Sequence, residues 1–452
     1  MLTTRFLRAF AAVSTLALLA GASDLPTAAQ APVAAVDAAA SVRDQLAAER
    51  RALRLIARPD VQRVFGKIER AWRDGTPGLL PETYAQLPQA VRELALLTAL
   101  QAIAGDAQRP GVVEISASPH RWHGLTVPGG RWGINNPDTL YFLVPVAPGA
   151  RYVITGQRHG RGPVDANYSL QKGDGWETVA NIAQDALQID AQGRYRIEID
   201  NQPANGRPNH LQIRDGANAV LIRNTLADWS RELPDTLAVT RLGPAPTTPA
   251  PSDDALAAQI VERLHATVRR STAALQPPIL SQPANVIPQP GPIADKPGFL
   301  VTQRNTLGHF RLADNEALVA TFDPGGAAYA TFPVTSIWGI TPDPDRYQNS
   351  LNTAQAARNP DGTITVVLSR RDPGVVNWID PGGLREGIVM LRWQRLAATA
   401  PAGGGPAVTT QVVKLNALSA MLPAGTKHIT PAERAQQRVA RASGFARRFA
   451  AR

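Results

Sequence analysis

Residues 370–383 read RRDPGVVNWIDPGG. Two Asp-Pro-Gly triplets, begun by Asp372 and Asp380, stand eight residues apart and bracket Val-Val-Asn-Trp-Ile. Proline presets φ for a turn and glycine accepts the positive φ that tight turns need, so each triplet reverses the chain. A short strand fits between the two turns. The segment that follows, EGIVMLRW (386–393), is an apolar run bounded by turn residues, which reads as a buried strand. The stretch is therefore read as one corner of a β-sheet.

A near twin lies upstream. Residues 209–223 read NHLQIRDGANAVLIR, and Asn209, His210, Leu211 and Arg223 answer to Asn377, Trp378, Ile379 and Arg392 at offsets of 168 or 169. A second match sets NNPDTLYFLVPVAPGARY (135–152) against DNEALVATFDPGGAAY (314–329). In both, Asn, an acid, Leu, an apolar run, Pro-Gly and Tyr follow in order. Matches in one order predict a duplicated β-domain. What the halves share reads as scaffold: an Asn that satisfies local backbone groups, and a terminal Arg expected to pair with Asp138 in one half and Glu316 in the other. What differs, His210 against Trp378, reads as the functional candidate.

Outward from this pair, the texture changes. Leu46, Leu53, Val61, Phe65, Ile68 and Trp72 recur at helical spacing over 41–74, with Pro59 expected to break the run. A second helix is predicted over 82–103. Strand-like runs begin near 113 and end near 242. GPAPTTPAPSDD (243–254) is a linker, with Ser252 or Asp253 placed to cap a helix reaching about 274. Seven prolines in 277–297 predict an extended segment. The expected fold is mainly β with flanking α. A leader (1–22) and a helical segment (23–112) precede two related antiparallel β-sandwich, jelly-roll-like domains at 113–242 and 299–396. A linker with one helix and a Pro-rich stretch (243–298) joins them, and a linker and basic C-terminal helix (397–452) follow.

The second half carries a resemblance. SLNTAQAARNPDGTITVVLSRRDPGVVNWIDPGGLREGIVMLRWQRL (350–396), with its DPG, NWID and Arg-Trp elements, resembles the domain-of-unknown-function family 1214. The resemblance is best over 299–396 and weaker over 135–242, where GDGWETVANIAQDAL departs from it. It implies a β-sandwich or jelly roll in bacterial proteins that are often secreted. It brings no activity, catalytic residue or cofactor.

Arg5 and Arg8, the apolar FAAVSTLALLA (10–20) and the small-residue AGA (20–22) read as a secretory leader, so a periplasmic or secreted location is expected, without a transmembrane span after its removal. There is no cysteine, which excludes a lipoprotein acceptor, disulfides, thiol catalysis and thiolate metal sites. The net charge is +10. Its excess sits in 43–74 and 430–452, ends that suit an anionic envelope surface or simply form solvated helix faces. Nucleic acid is not an expected partner.

No Gly-x-Ser-x-Gly elbow, His-Glu-x-x-His or phosphate-binding Gly-Lys-Ser/Thr loop occurs. Three constellations remain. His120 and His123, with Asp138 or Asp165, offer imidazole and carboxylate for a metal; capping or surface histidines are the plainer reading, and no metal or cofactor is expected. Asp372 and Asp380, or His210, offer acid–base chemistry, against their ordinary roles as turn starters and a structural imidazole. Trp378, Asn377 and Trp393 offer an aromatic and polar face for a small molecule or saccharide, against burial in the core. The leading expectation is an accessory ligand-binding protein of the cell envelope, with the ligand near Trp378 or between the β-domains. The alternatives are a hydrolase or lyase on a small envelope-derived or imported substrate, and a structural envelope protein.

Overall fold

The repeat is a repeat of topology. In the computed structural model, residues 36–173, 176–291, 298–396 and 405–450 are described; the expected leader lies outside them. The first β-unit contains β1 (Val113–Ser116), a hairpin of β2 (His120–Trp122) and β3 (Leu125–Val127), β4 (Thr139–Pro145), β5 (Arg151–Gln157), β6 (Asp165–Lys172), β7 (Glu177–Ala183), β8 (Arg194–Asp200), β9 (His210–Gln212), β10 (Ala217–Thr225) and β11 (Thr236–Leu242). One sheet runs β1-β4-β10-β6-β7 and the other β11-β5-β8-β9. The second unit contains β12 (Gln303–Arg311), β13 (Glu316–Asp323), β14 (Tyr329–Thr335), β15 (Ser350–Asn352), β16 (Ile364–Leu368), β17 (Trp378–Ile379), β18 (Glu386–Gln394) and β19 (Ala407–Lys414). Its sheets run β12-β18-β14-β15 and β17-β16-β13-β19. Strand for strand, β4 to β11 correspond to β12 to β19 in the same sheet positions. Each unit is a β-sandwich with its own apolar centre.

The Asn match is a true equivalence. β9 and β17 are each the parallel member of an otherwise antiparallel sheet. The Asn before each does one job twice. Asn209 Nδ2 donates to Gln188 O and its Oδ1 accepts from Gln188 N, both at 2.8 Å. Asn377 Nδ2 donates to Ala357 O at 2.7 Å and its Oδ1 accepts from Ala357 N at 2.8 Å. The side chain thus acts as a missing strand neighbour for a loop residue. The other sequence match fails. It sets β4 against β13, whereas β4 corresponds to β12 and β5 to β13. Tyr152 lies on β5 and Tyr329 on β14, so the shared Pro-Gly and Tyr belong to different hairpins. Turn residues recur in any β-protein and do not by themselves fix register.

The helices form a layer against both units. α1 (Ala38–Ile56), α2 (Pro59–Asp74), the short α3 (Pro81–Tyr84), α4 (Leu87–Ile103) and α5 (Asp253–Arg270) gather around α4, which is apolar on nearly every side and so is buried. Pro59 breaks the first helical run as expected, and Ser252 caps α5 by accepting from Ala255 N. Trp338, from the second unit, reaches into this cluster, where its ring lies 5.7 Å from that of Trp72. Such a pair contributes about 0.5–1.5 kcal/mol beyond its buried area. A three-way ion cluster ties the parts together: Arg131 of the first unit grips Glu93 of α4 and Asp343 of the second unit.

Two boundaries differ from expectation. The Pro-rich segment opens helical, because the helix begun by α5 runs on through a π-helical turn (Ser271–Leu275) into α6 (Gln276–Leu280). The second β-unit does not end at 396. β19 follows the Gly-rich APAGGGPA and pairs with β13 along its whole length, so that segment joins two strands of one unit. α7 (Pro431–Ala450) closes the described chain. It starts with a capping box in which Thr430 and Glu433 serve each other's amides.

Asn377→Ala removes three side-chain hydrogen bonds and strands backbone groups of Ala357. Asn209→Ala does the same at Gln188. Each is expected to destabilise the protein by about 1–3 kcal/mol, measured by urea denaturation. Equal folding and no loss in both would refute the shared scaffold role.

Candidate functional site

The site begins with an alternation. On β6, Ala166, Tyr168 and Leu170 face the sandwich centre, so Asp165, Asn167, Ser169 and Gln171 face the other way. A polar row of that kind normally meets water. Here each of the four is at most 1 % exposed, because the second unit covers it. Thr302 Oγ1 donates to Asn167 Oδ1 at 3.2 Å, and Arg223 Nη2 donates to Gly298 O at 3.1 Å. The covering face belongs to the equivalent sheet. Across the first sheet, Asn167, Arg223 and Tyr141 share a row. Across the second, Asn305, Arg392, Thr331 and Asn352 share one. Two pseudo-equivalent polar faces therefore meet in a layer between the two β-units.

Asp138 is its node. Asp138 Oδ2 accepts from Tyr329 Oη at 2.6 Å and from Asn352 Nδ2 at 3.1 Å. Tyr329 Oη in turn accepts from Asn136 Nδ2 at 2.7 Å. Burial raises the Asp138 carboxyl above its ordinary range despite these bonds.

Arg223 and Arg392 occupy matching places on the central strands β10 and β18. The expected pairings do not form. Glu316 pairs with Lys414 at 2.9 Å on the far sheet, and Asp138 is occupied by Tyr329 and Asn352. Arg223 instead donates to Ser169 Oγ at 3.3 Å and to Gly298 O. Arg392 donates to Met390 O at 3.1 Å and to Ile134 O. Every one of these acceptors is neutral. Burial lowers both guanidinium groups, and the charge of Arg392 adds to the lowering of Arg223. Asp165, on the same layer, is pushed up to about 7 by burial, against the pull of Arg395. Buried atoms of the layer without a protein partner include Asp138 Oδ1, Gln171 Oε1, Asn305 Nδ2 and Gln394 Oε1. Native interiors rarely leave such groups unserved by water or ligand. A cavity of about 20 Å³, lined by Asn136, Pro137 and Thr139 among others, adjoins the layer; another of about 40 Å³ lies between α1 and β11. Each has room for water.

The residues singled out from the sequence lie elsewhere. Trp378 is 3 % exposed. Its Nε1 donates to Ser369 O at 2.8 Å, and its ring is covered by Arg434 and Arg438 of α7, whose guanidinium carbons stand 5.1 and 5.5 Å from the ring centre. Asp372 takes a two-point contact from Arg434, at 2.8 and 3.1 Å. Asp380, its carboxyl raised by burial, starts its turn by accepting from Gly382 N and meets Arg438 at 3.3 Å. These residues form the dock of the C-terminal helix. Beside the exposed Arg438, residues Arg434, Arg441, Phe445 and Arg448 recur at helical spacing and turn one face inward, with Arg441 4.4 Å from the Trp229 ring centre. That face is neither solvated nor available to an envelope surface. Trp393 is fully buried in the second sandwich, with Nε1 donating to Asp323 O, and Asn377 is the scaffold residue described above.

His210, covered in its turn, contacts Asp200 and Arg207 through Nε2, both at 2.9 Å. Arg207 holds the Asp200 carboxyl well below the usual range. His120 Nδ1 faces Ser118 O, its Nε2 lies 3.4 Å from Glu49, and its ring stacks on Phe449. His123 sits at the β2–β3 turn against Trp122. The two histidines do not converge, and Asp138 and Asp165 belong to the interdomain layer. Among the described residues no group of three His, Asp or Glu side chains is gathered that could hold a metal, and no helix is long and apolar enough to cross a membrane.

The chain is similar to a solved structure of an uncharacterized protein from Burkholderia cenocepacia, 24% identical, with a TM-score of 0.67, covering 81% of this chain and 99% of that one. The VPA0106 protein from Vibrio parahaemolyticus matches at 11% identity and a TM-score of 0.41, over 77% of this chain and 100% of that one. No family model and no curated protein matches. The Burkholderia likeness speaks to the fold alone.

Two measurements check the electrostatics. Asp165 has a folded-state pKa raised above its unfolded value of 3.8 to about 7, so its ionisation disfavours the folded state. The penalty is absent below about 4, grows between about 4 and 7 and is constant above. Asp165→Asn is therefore expected to be more stable than the wild type at pH 8, with the gap closing as pH falls towards 4, read by calorimetry. Separately, Arg434→Met leaves Asp372 without its two-point partner and uncovers Trp378. A loss of about 1–3 kcal/mol is expected in urea; unchanged stability would mean that α7 is not anchored there.

Proposed function

We propose that this chain is a ligand-binding protein of the bacterial cell envelope, periplasmic or secreted, that takes a small polar molecule between its two β-units. The observation that carries the reading is the buried polar layer, with its unserved donors and acceptors, at a junction between two sandwiches. Ligand sites favour such junctions. The leader-like start of the sequence supports the location. The resemblance of residues 299–396 to family 1214 is part of the same proposal, as is attraction of the exposed basic residues of α1 and α2, Arg43, Arg50, Arg54, Arg63 and Arg70 among them, to an anionic surface.

One observation favours a structural role instead: the cavities at and near the layer are water-sized. The catalytic reading has less behind it, because Asp372 and Asp380 both face arginines of α7.

A thermal-shift screen of the full chain against saccharides, amino acids, carboxylates and metal salts separates these readings. A bound small molecule raises Tm by mass action. Its effect should be lost in Asn305→Leu and kept in Trp378→Phe. Loss only in the Trp378 variant would move the site to the α7 dock, and a chain that no compound stabilises would favour the structural role.

A further inference from the structure

Arg223 and Arg392 are related by the internal repeat, sit on the central strand of their sheets and face one layer from opposite sides. Each is about 95 % buried, and neither has a carboxylate within ion-pair range among the described residues. A buried guanidinium without a counter-charge is costly, and keeping one in each copy at the same place doubles that cost. The carboxylates nearby relieve it only in part, Asp165 acting on Arg223 and Asp138 on Arg392 against the larger effect of burial. Asp138 is held by neutral donors, and its oxygens are shared among the fields of Arg392, Arg441 and Arg448. Asp165, raised to about 7, is largely uncharged at mildly acidic pH. Tyr141 stands opposite Arg223 across β4 and β10 and accepts from Asn136 N through its Oη at 3.1 Å, which leaves its own proton to donate. Tyr141 and Asn305, each in the row of one arginine, are only partly buried and mark where the layer approaches solvent.

We infer that the ligand of the interdomain layer is an oxyanion, gripped by Arg223 from one β-unit and Arg392 from the other, with Tyr141 donating beside them. This rests on the ligand-binding reading above. Guanidinium groups match carboxylate, phosphate and sulfate oxygens through paired N–H donors, and two groups from different units make binding a clamp on the units themselves. The shared chemistry is the oxyanion. Its source is either a free inorganic or organic acid or the acidic group of an envelope sugar.

The test uses the full chain in a zwitterionic buffer at fixed ionic strength. Inorganic phosphate, sulfate, succinate and glucuronate are titrated by calorimetry and thermal shift, with glucose and succinamide as neutral counterparts. At least one anion should bind while its neutral counterpart does not, and preference for glucuronate over the inorganic ions and succinate would point to the sugar source. Arg223→Gln and Arg392→Gln should each weaken that anion about 10- to 100-fold, the worth of a charge-assisted hydrogen bond. Should either glutamine variant fail to fold, Arg→Lys at the same position keeps the charge and should bind with reduced affinity. Stabilisation by neutral compounds alone would overturn the oxyanion and leave the interdomain site standing. Anion binding indifferent to both arginines would also overturn it. If no small molecule of either kind binds, the ligand-binding reading itself fails.

Discussion

The fold depends on a polar surface hidden from water. A β-sandwich normally buries one face of each sheet and wets the other. In both units of this chain one sheet is covered twice, by its sandwich partner and by the equivalent sheet of the other unit. The second face is polar, so its groups must find partners in protein, water or ligand. Asp138, Tyr329, Asn136 and Asn352 solve this locally, by a chain of short bonds that crosses between the units. Arg223 and Arg392 solve it with backbone and hydroxyl oxygens only. Register follows from these demands. A one-residue slip on β10 or β18 would drive a guanidinium into an apolar sandwich centre.

The helices seal what the layer cannot. α4 and its neighbours cover the apolar remainder of the first sheet's outer face, including Leu143 and Leu221, and receive Trp338 from the second unit. The Arg131–Glu93–Asp343 cluster fastens the same three parts by charge. α7 works differently. It brings cations to a surface already rich in carboxylates and indole, the corner built by RRDPGVVNWIDPGG. In the first unit the equivalent place is covered by Arg207 above His210 and Asp200. Both copies therefore shield their single parallel strand with arginine, from a nearby loop in one case and from a distant helix in the other. The difference between His210 and Trp378 follows from what covers them.

Much of the fold was legible because it rests on local chemistry. The Pro59 break, the Ser252 cap, the strand runs and the Asn209–Asn377 equivalence each depend on residues close in sequence. The misses have a common cause. β19 lies behind a Gly-rich run that reads as a linker, and β4 reads as the counterpart of β13 because Pro-Gly turns look alike in every hairpin. The candidate site was hardest. Asp165, Asn167, Ser169 and Gln171 alternate with apolar residues, which is also the pattern of an ordinary solvated strand. The usable signal was weaker: the same half of each repeat ends in an Arg within an apolar strand, a residue that a water-facing position does not require.

The sequence by itself determined a duplicated β-architecture flanked by helices, since period-two strands, turn residues and helical spacing are properties of the chain in order. It also determined that the Asn of each repeat is scaffold, because an Asn side chain can replace a strand neighbour wherever a loop passes beside it. Only the tertiary structure decided that the two polar sheet faces meet, that Arg223 and Arg392 share one layer, and that Asp372, Trp378 and Asp380 serve α7. Those outcomes depend on which surface covers which. Burial of a polar face is set by long-range packing, and the alternation that produces such a face is the same whether water or another sheet lies against it.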